Sequence, residues 1–210
     1  MENINERIYG FIGPAGGGKT YRLNSLKSQC EREQRDFITG DFSDGIRKTV
    51  LELFGLGKSE IDPSSQDYLN WKDRKQVIDL PGQLGFTEFR GRDLLKNAGE
   101  YLKTLAGEDV WARWTEDDIC RKYWNLETDE DRDASVVAFG SIRFPSEVNV
   151  LFKASSVIWK DVKLIFCNHF DIKFDPNVHI SESLAHQLIL RGFEDGADVT
   201  QAVKDMYNIE

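Results

Sequence analysis

The chain has 210 residues, 40% of them apolar and 30% charged, with a formal net charge of −9. That length suits one α/β domain with a sizeable core, and the acidic balance argues against broad, nonspecific nucleic-acid binding, which needs clustered Lys and Arg. No apolar run approaches membrane-spanning length, Met1–Arg7 does not read as a signal peptide, and the scattered cysteines Cys30, Cys120 and Cys167 suit a reducing cytoplasm better than disulfides or a metal site.

In chain order, Ile8–Ile12 is a short apolar run of the kind a buried parallel strand shows, and Leu23 and Leu26 mark a helix after Thr20. Asp36–Thr39 is a candidate second strand, Ile46–Phe54 a short helix, and Asp67–Val77 a further helix leading into "VIDLPGQLGF". Over Arg92–Ala106, Leu95, Ala98, Leu102 and Leu105 share one helical face. Asp109–Trp124 reads as a helix, Ser135–Phe139 as a buried strand, Glu147–Ala154 as a helix and Val162–Cys167 as a strand. Ser181–Leu190 and Val199–Tyr207 close the chain as helices, while Gly55–Ser65 and Glu127–Asp133 read as surface loops. The alternation predicts one α/β domain over 1–210: a three-layer fold on a mostly parallel sheet, with a helical lid or acceptor-binding insertion at about 42–125.

Between the first strand and helix lies Gly13-Pro14-Ala15-Gly16-Gly17-Gly18-Lys19-Thr20, which fits G-x-x-x-x-G-K-[ST]. Glycines let backbone N–H groups close around phosphate oxygens, and the helix N-terminus adds partial positive charge. Lys19 is expected to reach the β- and γ-phosphates of ATP and the Thr20 hydroxyl to ligate Mg²⁺, so the expected fold is that of the P-loop NTPases. The rest of the site is open to more than one reading. Asp79-Leu80-Pro81-Gly82-Gln83 fits a GTPase D-x-x-G switch followed by a water-orienting Gln, and Asn168-His169-Phe170-Asp171 follows a strand where N-K-x-D would lie, with His169 in place of the Lys.

Three further pieces point elsewhere. They are "GRDLLKNAGEYLKTLAGEDVWARW" (91–114), "SIRFPSEVNVLFKAS" (141–155) and "HISESL" (179–184). Arg92, Lys96 and Lys103 form a cationic stripe with Gly99 among them. Arg143 and Glu147 are four residues apart, which permits a helix salt bridge, or places Arg143 at the carboxyl edge of the sheet to neutralise charge on a transferred phosphoryl group. In the third piece Ser181 is a natural N-cap, and His179 packs against it.

With the glycine loop, these pieces resemble the bacteriophage deoxynucleoside monophosphate kinase family. The family pattern R-x-L-L-Q-x-x-G, then Trp, is matched by Arg92, Leu94, Leu95, Gly99 and Trp111; D-x-R-F-P-N-E by Arg143, Phe144, Pro145 and Glu147; and H-x-S-E by His179, Ser181 and Glu182. The resemblance covers roughly 7–20 and 90–190. It implies transfer of the ATP γ-phosphate to a deoxynucleoside 5′-monophosphate, with Lys19, Arg92, Arg143 and Glu147 catalytic and Lys96 and Trp111 on the acceptor side. Asp41 and Asp79, outside what the resemblance carries, and Glu147 are the candidates to stand in on that side for the family's strand-end Asp. The resemblance also implies nucleotide substrates and, for a phage-encoded chain, the host cytoplasm; the lack of a long apolar run leaves no membrane partner expected, and a homodimer is allowed. Two positions depart from the pattern: Ser141 stands for the strand-end Asp and Lys96 for the Gln. Both fall near the acceptor, so a kinase for a hydroxymethylated pyrimidine base in phage DNA is the alternative.

Overall fold

The computed structural model describes residues 7–54, 66–73, 75–78 and 87–209. It divides into two compact units, Met1–Phe42 with Ala112–Glu210, and Ser43–Trp111.

The first unit is α/β. Its elements are β1 (Arg7–Ile12), α1 (Lys19–Arg32), β2 (Phe37–Gly40), α5 (Val110–Trp124) from Ala112 onward, α6 (Asp129–Ala134), β5 (Val136–Ile142), α7 (Pro145–Ile158), β6 (Asp161–Phe166), a 3-10 turn at Ile180–Glu182, α8 (Ser183–Leu190) and α9 (Thr200–Tyr207). The second unit contributes α2 (Asp44–Phe54), α3 (Gln66–Asp73), β3 (Lys75–Ile78), β4 (Thr87–Arg90) and α4 (Gly91–Ala106).

Four strands form an all-parallel sheet in the order β2-β5-β1-β6. β1 is buried on both faces because Ile8, Tyr9, Phe11 and Ile12 alternate between two apolar layers. Tyr9 and Phe11 join Val136, Ala138 and Cys167 beneath Cys30, Leu23 and Leu26 of α1. Ile8 and Ile12 join Val137, Phe139, Leu164 and Phe166 beneath Val148, Leu151, Ala154 and Ile158 of α7, with Leu184 and Leu188 of α8. Helices therefore contribute to the core on both faces, an arrangement compatible with three layers. The chain leaves β1 toward β2 and leaves β5 in the opposite direction, toward β6. With right-handed crossovers, that reversal puts α1 and α7 on opposite faces and opens a crevice beyond the carboxyl end of β1.

One edge of the sheet is covered by a segment that sequence patterning left as a connection. Gly196 donates to the Phe166 carbonyl at 2.8 Å, Phe166 to Ala197 at 2.9 Å and Val199 to Leu164 at 2.9 Å, so the chain runs antiparallel along β6 and blunts that edge.

Several expected elements are altered. The stretch 127–133, expected as a loop, is mostly taken up by α6, which opens on a capping box in which Thr128 Oγ1 accepts from Asp131 N at 3.0 Å and Asp131 accepts from Thr128 N at 3.1 Å. The helix expected over 67–77 ends at Asp73, and Lys75–Ile78 pairs antiparallel with Thr87–Arg90, where the β-branched Val77 and Ile78 favour the pleated form. α7 begins two residues earlier, with Pro145 in its first turn.

In the second unit, Leu94, Leu95 and Ala98 of α4 pack against Val50, Tyr68 and Trp71. The apolar face read from the sequence is used only in part, because Leu105 at its far end is 64% exposed. The stretch Gly55–Ser65 and residues Asp79–Gln83 lie outside the described residues.

Candidate functional site

The turn from β1 into α1 depends on what its glycines lack. A Cβ on Gly13 would lie 2.1 Å from the Cys167 carbonyl oxygen and one on Gly17 2.5 Å from the same atom. Gly16 (φ 76) and Gly18 (φ 95) adopt the left-handed conformation that side chains disfavour. Gly17 N–H donates to the Pro14 carbonyl at 2.9 Å, and His169 N–H donates to Gly17 O at 3.1 Å, so the loop is pressed against the chain leaving β6. The Lys19 ammonium turns back and donates to the carbonyls of Gly13 (2.5 Å) and Pro14 (2.8 Å). Burial holds its pKa below the usual lysine value; the Glu182 carboxylate opposes that shift, and the Arg143 guanidinium adds to it. Thr20 is exposed at the second position of α1.

The loop holds an anion, and that anion belongs to the protein. Ala15 N–H donates to Glu182 Oε2 at 2.6 Å across 167 residues of sequence. A backbone N–H aimed at a carboxylate is the interaction a phosphate oxygen would use. Glu182 closes the H-x-S-E stretch but did not stand among the expected site residues; the motif was the only signal for it. The neighbouring His179 Nδ1 accepts from Ser181 N–H at 3.2 Å and lies 2.9 Å from Ser181 Oγ, so this His caps the 3-10 turn, and the expected Ser181 cap is reversed.

A second brace escaped the sequence altogether. Asp195 accepts from Arg22 of α1 at 2.6 Å and from Asn168 N–H at 2.8 Å, with His169 Nδ1 at 3.8 Å. Burial pushes its carboxyl up, but the hydrogen bonds from Arg22 and Asn168 outweigh it and hold the pKa below the usual range. The Asn168 carboxamide is tied to its own loop, accepting from Ile172 N at 2.8 Å and donating to Ile172 O at 3.1 Å. Asp171 is exposed and paired with Lys173.

Beyond β5, the Arg143 guanidinium donates through Nε to Ser141 Oγ at 3.1 Å. Glu147 is buried in the first turn of α7 and accepts from the backbone N–H groups of Arg143 (2.6 Å) and Phe144 (3.1 Å). Its expected helix salt bridge with Arg143 is thus replaced by hydrogen bonds to the backbone. Burial pushes the Glu147 pKa up to about 7, against the two N–H bonds and the Arg143 charge, with the carboxylate of Asp41 adding to the rise. Asp41 follows β2 directly, Ser141 is the last residue but one of β5 and Arg143 follows that strand, so all three lie at the carboxyl ends of neighbouring strands.

The remaining expected residues belong to the other unit. Arg92 and Lys96 are exposed on α4, and Lys103 pairs with Glu100 at 3.2 Å. Gly99 is buried: its carbonyl accepts from Trp111 Nε1 at 3.1 Å, and a Cβ there would meet Ile46 Cδ1 at 3.1 Å. The glycine within the cationic stripe therefore serves packing against Ile46 and Trp111, and the buried Trp111 indole anchors α4. Asp79 lies outside the described residues.

Among the described residues no group of three or more His, Cys, Asp and Glu side chains is placed to hold a metal ion. Thr20 at the end of the loop, and Ser141 and Asp41 at the carboxyl ends of β5 and β2, are hard oxygen donors of the kind that holds Mg²⁺ together with water and phosphate oxygens. No protein-family model matches the chain, and no curated protein matches its sequence.

Proposed function

We propose that the chain is an ATP-dependent phosphotransferase that moves the γ-phosphate of ATP to a deoxynucleoside 5′-monophosphate. The observation that carries this reading is the glycine loop itself: it follows the inner strand β1, opens a 14-residue helix, and spends its Ala15 N–H on a carboxylate. In this reading Lys19 leaves the Gly13 and Pro14 carbonyls for the phosphates, exchanging two neutral acceptors for charged ones. Mg²⁺ bound with the nucleotide would neutralise and orient the phosphate oxygens. Thr20 offers the hydroxyl that would hold it, with Ser141 and Asp41 as further oxygen donors.

Arg143, whose charge is felt at Lys19, would neutralise the transferred group in this reading. Glu147 is a positioning residue in this scheme: its carboxylate fixes the backbone from which Arg143 projects. Arg92 and Lys96 are assigned to the acceptor phosphate, and Trp111 holds α4 in shape for them. The resemblance to the phage deoxynucleoside monophosphate kinases supplies the acceptor class, with Ser141 and Lys96 as the two departures.

The test is label transfer from γ-labelled ATP with Mg²⁺ to a panel of deoxynucleoside monophosphates and an oligonucleotide containing hydroxymethyluracil. Label in a diphosphate is expected, and Lys19→Ala should reduce it by roughly a hundredfold or more. Label in the oligonucleotide alone would move the acceptor to DNA. Full activity of Lys19→Ala would overturn the reading.

A further inference from the structure

Glu182 and a bound phosphate compete for one hydrogen. The Ala15 N–H has a single proton to donate, and in this structure the Glu182 carboxylate takes it at 2.6 Å. The carboxylate also sits close enough to Lys19 to oppose the effect of that side chain's burial. Both positive elements of the loop, a backbone N–H and the ammonium, are thus partly satisfied from within the chain. Glu182 ends a 3-10 turn that leads directly into α8, whose Leu184, Ala185 and Leu188 are buried in the core. Ile180 at the start of the turn is 70% exposed. The anchored helix fixes where the Glu182 backbone lies, while the side chain keeps the rotatable bonds needed to swing away.

Resting on the phosphate-transfer reading above, we infer that Glu182 is a built-in competitor for the loop, displaced when a polyphosphate binds. Displacement proceeds by side-chain rotation, with α8 staying in place. The charge-assisted bond lost is the same whichever ligand arrives, so Glu182 raises the Kd of every ligand that uses the Ala15 N–H by one common factor. A triphosphate bears the same factor but still binds, because its other contacts make its Kd low to begin with. Inorganic phosphate, with few other contacts, is shut out at concentrations where ATP still binds. Glu182 thus sets the concentration at which the loop fills and leaves the ranking of its ligands unchanged.

The experiment uses the full-length chain as wild type, Glu182→Gln and Glu182→Ala. Calorimetry gives the Kd for MgATP and for inorganic pyrophosphate, and amide NMR follows the Ala15 proton. Glu182→Ala should bind both ligands roughly tenfold more tightly and by a similar factor, with Glu182→Gln in between because its neutral carbonyl oxygen still accepts a weaker bond. The Ala15 amide proton should move upfield in the ligand-free Glu182→Ala protein and return downfield with pyrophosphate. An unmoved Ala15 proton in Glu182→Ala overturns the contact. A moved proton with unchanged or weakened affinities overturns the competition and leaves Glu182 as a structural strap. If none of the three proteins binds either ligand, the phosphate-transfer reading fails and this inference falls with it, whatever Ala15 does.

Discussion

Glu147 shows how burial and hydrogen bonding divide the fate of one carboxyl. Two N–H donors favour its charged form, yet burial wins and its pKa rises to about 7 from the usual 4.5. A group whose folded-state pKa is raised holds its proton longer in the folded chain than in the unfolded one. Its contribution to stability is therefore complete below the ordinary carboxylate range and is lost as pH climbs through about 7. Glu147→Gln keeps an acceptor for the Arg143 and Phe144 N–H groups without an ionisable proton. Thermal unfolding measured between pH 5 and 8 should fall with pH in the wild type and be flatter in the variant; equal slopes would refute the assignment. Cys167 belongs to the same scale: burial pushes its thiol up to about 12, so this cysteine next to the loop serves packing and supplies a carbonyl, and its sulfur stays protonated.

Among the elements, β1 is the one on which the site depends. It is sandwiched between β5 and β6, and its centre is a glycine because there is no room for more. A Cβ on Gly10 would lie 2.3 Å from Ile142 Cδ1 and 2.7 Å from both Leu151 and Leu164. Gly10→Ala must turn the ends of the Ile142, Leu151 and Leu164 side chains aside and is expected to destabilise by about 1–3 kcal/mol in denaturant titrations. A change below a few tenths of a kcal/mol would mean that the layer is looser than its contacts imply. α4 follows the opposite logic, with an exposed charged face and an apolar face used over only part of its length. Its hydrophobic spacing announced the helix, but only the residues packed on it decide which leucines are buried.

At the scale of the molecule, charge sets the default partner. A formal net charge of −9 disfavours a phosphate backbone unless basic residues are clustered locally. Binding of unmodified single-stranded or duplex oligonucleotide should be undetectable at about 0.15 M salt in a retention assay. Tight binding with a steep salt dependence would favour DNA as the acceptor. No helix among the described residues is long and apolar enough to cross a membrane. The chain between β2 and the body of α5 forms a compact unit of its own, Ser43–Trp111. Residues of α5 after this point, among them Ile119 and Tyr123, instead join the core of the sheet, so this unit ends short of residue 125.

Local sequence determined the glycine loop, the strand before it and the helix after it, because each is written in adjacent residues: a continuous apolar run, glycines at fixed offsets, and leucines at helical spacing. It also determined the acidic balance and the general alternation of strands and helices. Tertiary structure alone decided that Glu182 reaches Ala15, that the Cys167 carbonyl fills the space two glycines leave, that Asp195 ties Arg22 to Asn168, and that Gly196–Val199 covers the edge of β6. Each of these is a contact between residues far apart in the chain. The physical reason is one of range: periodicity and turn chemistry act over a few residues, whereas a carboxylate finds its N–H donor only after the sheet has brought the ends of β1 and β6 side by side.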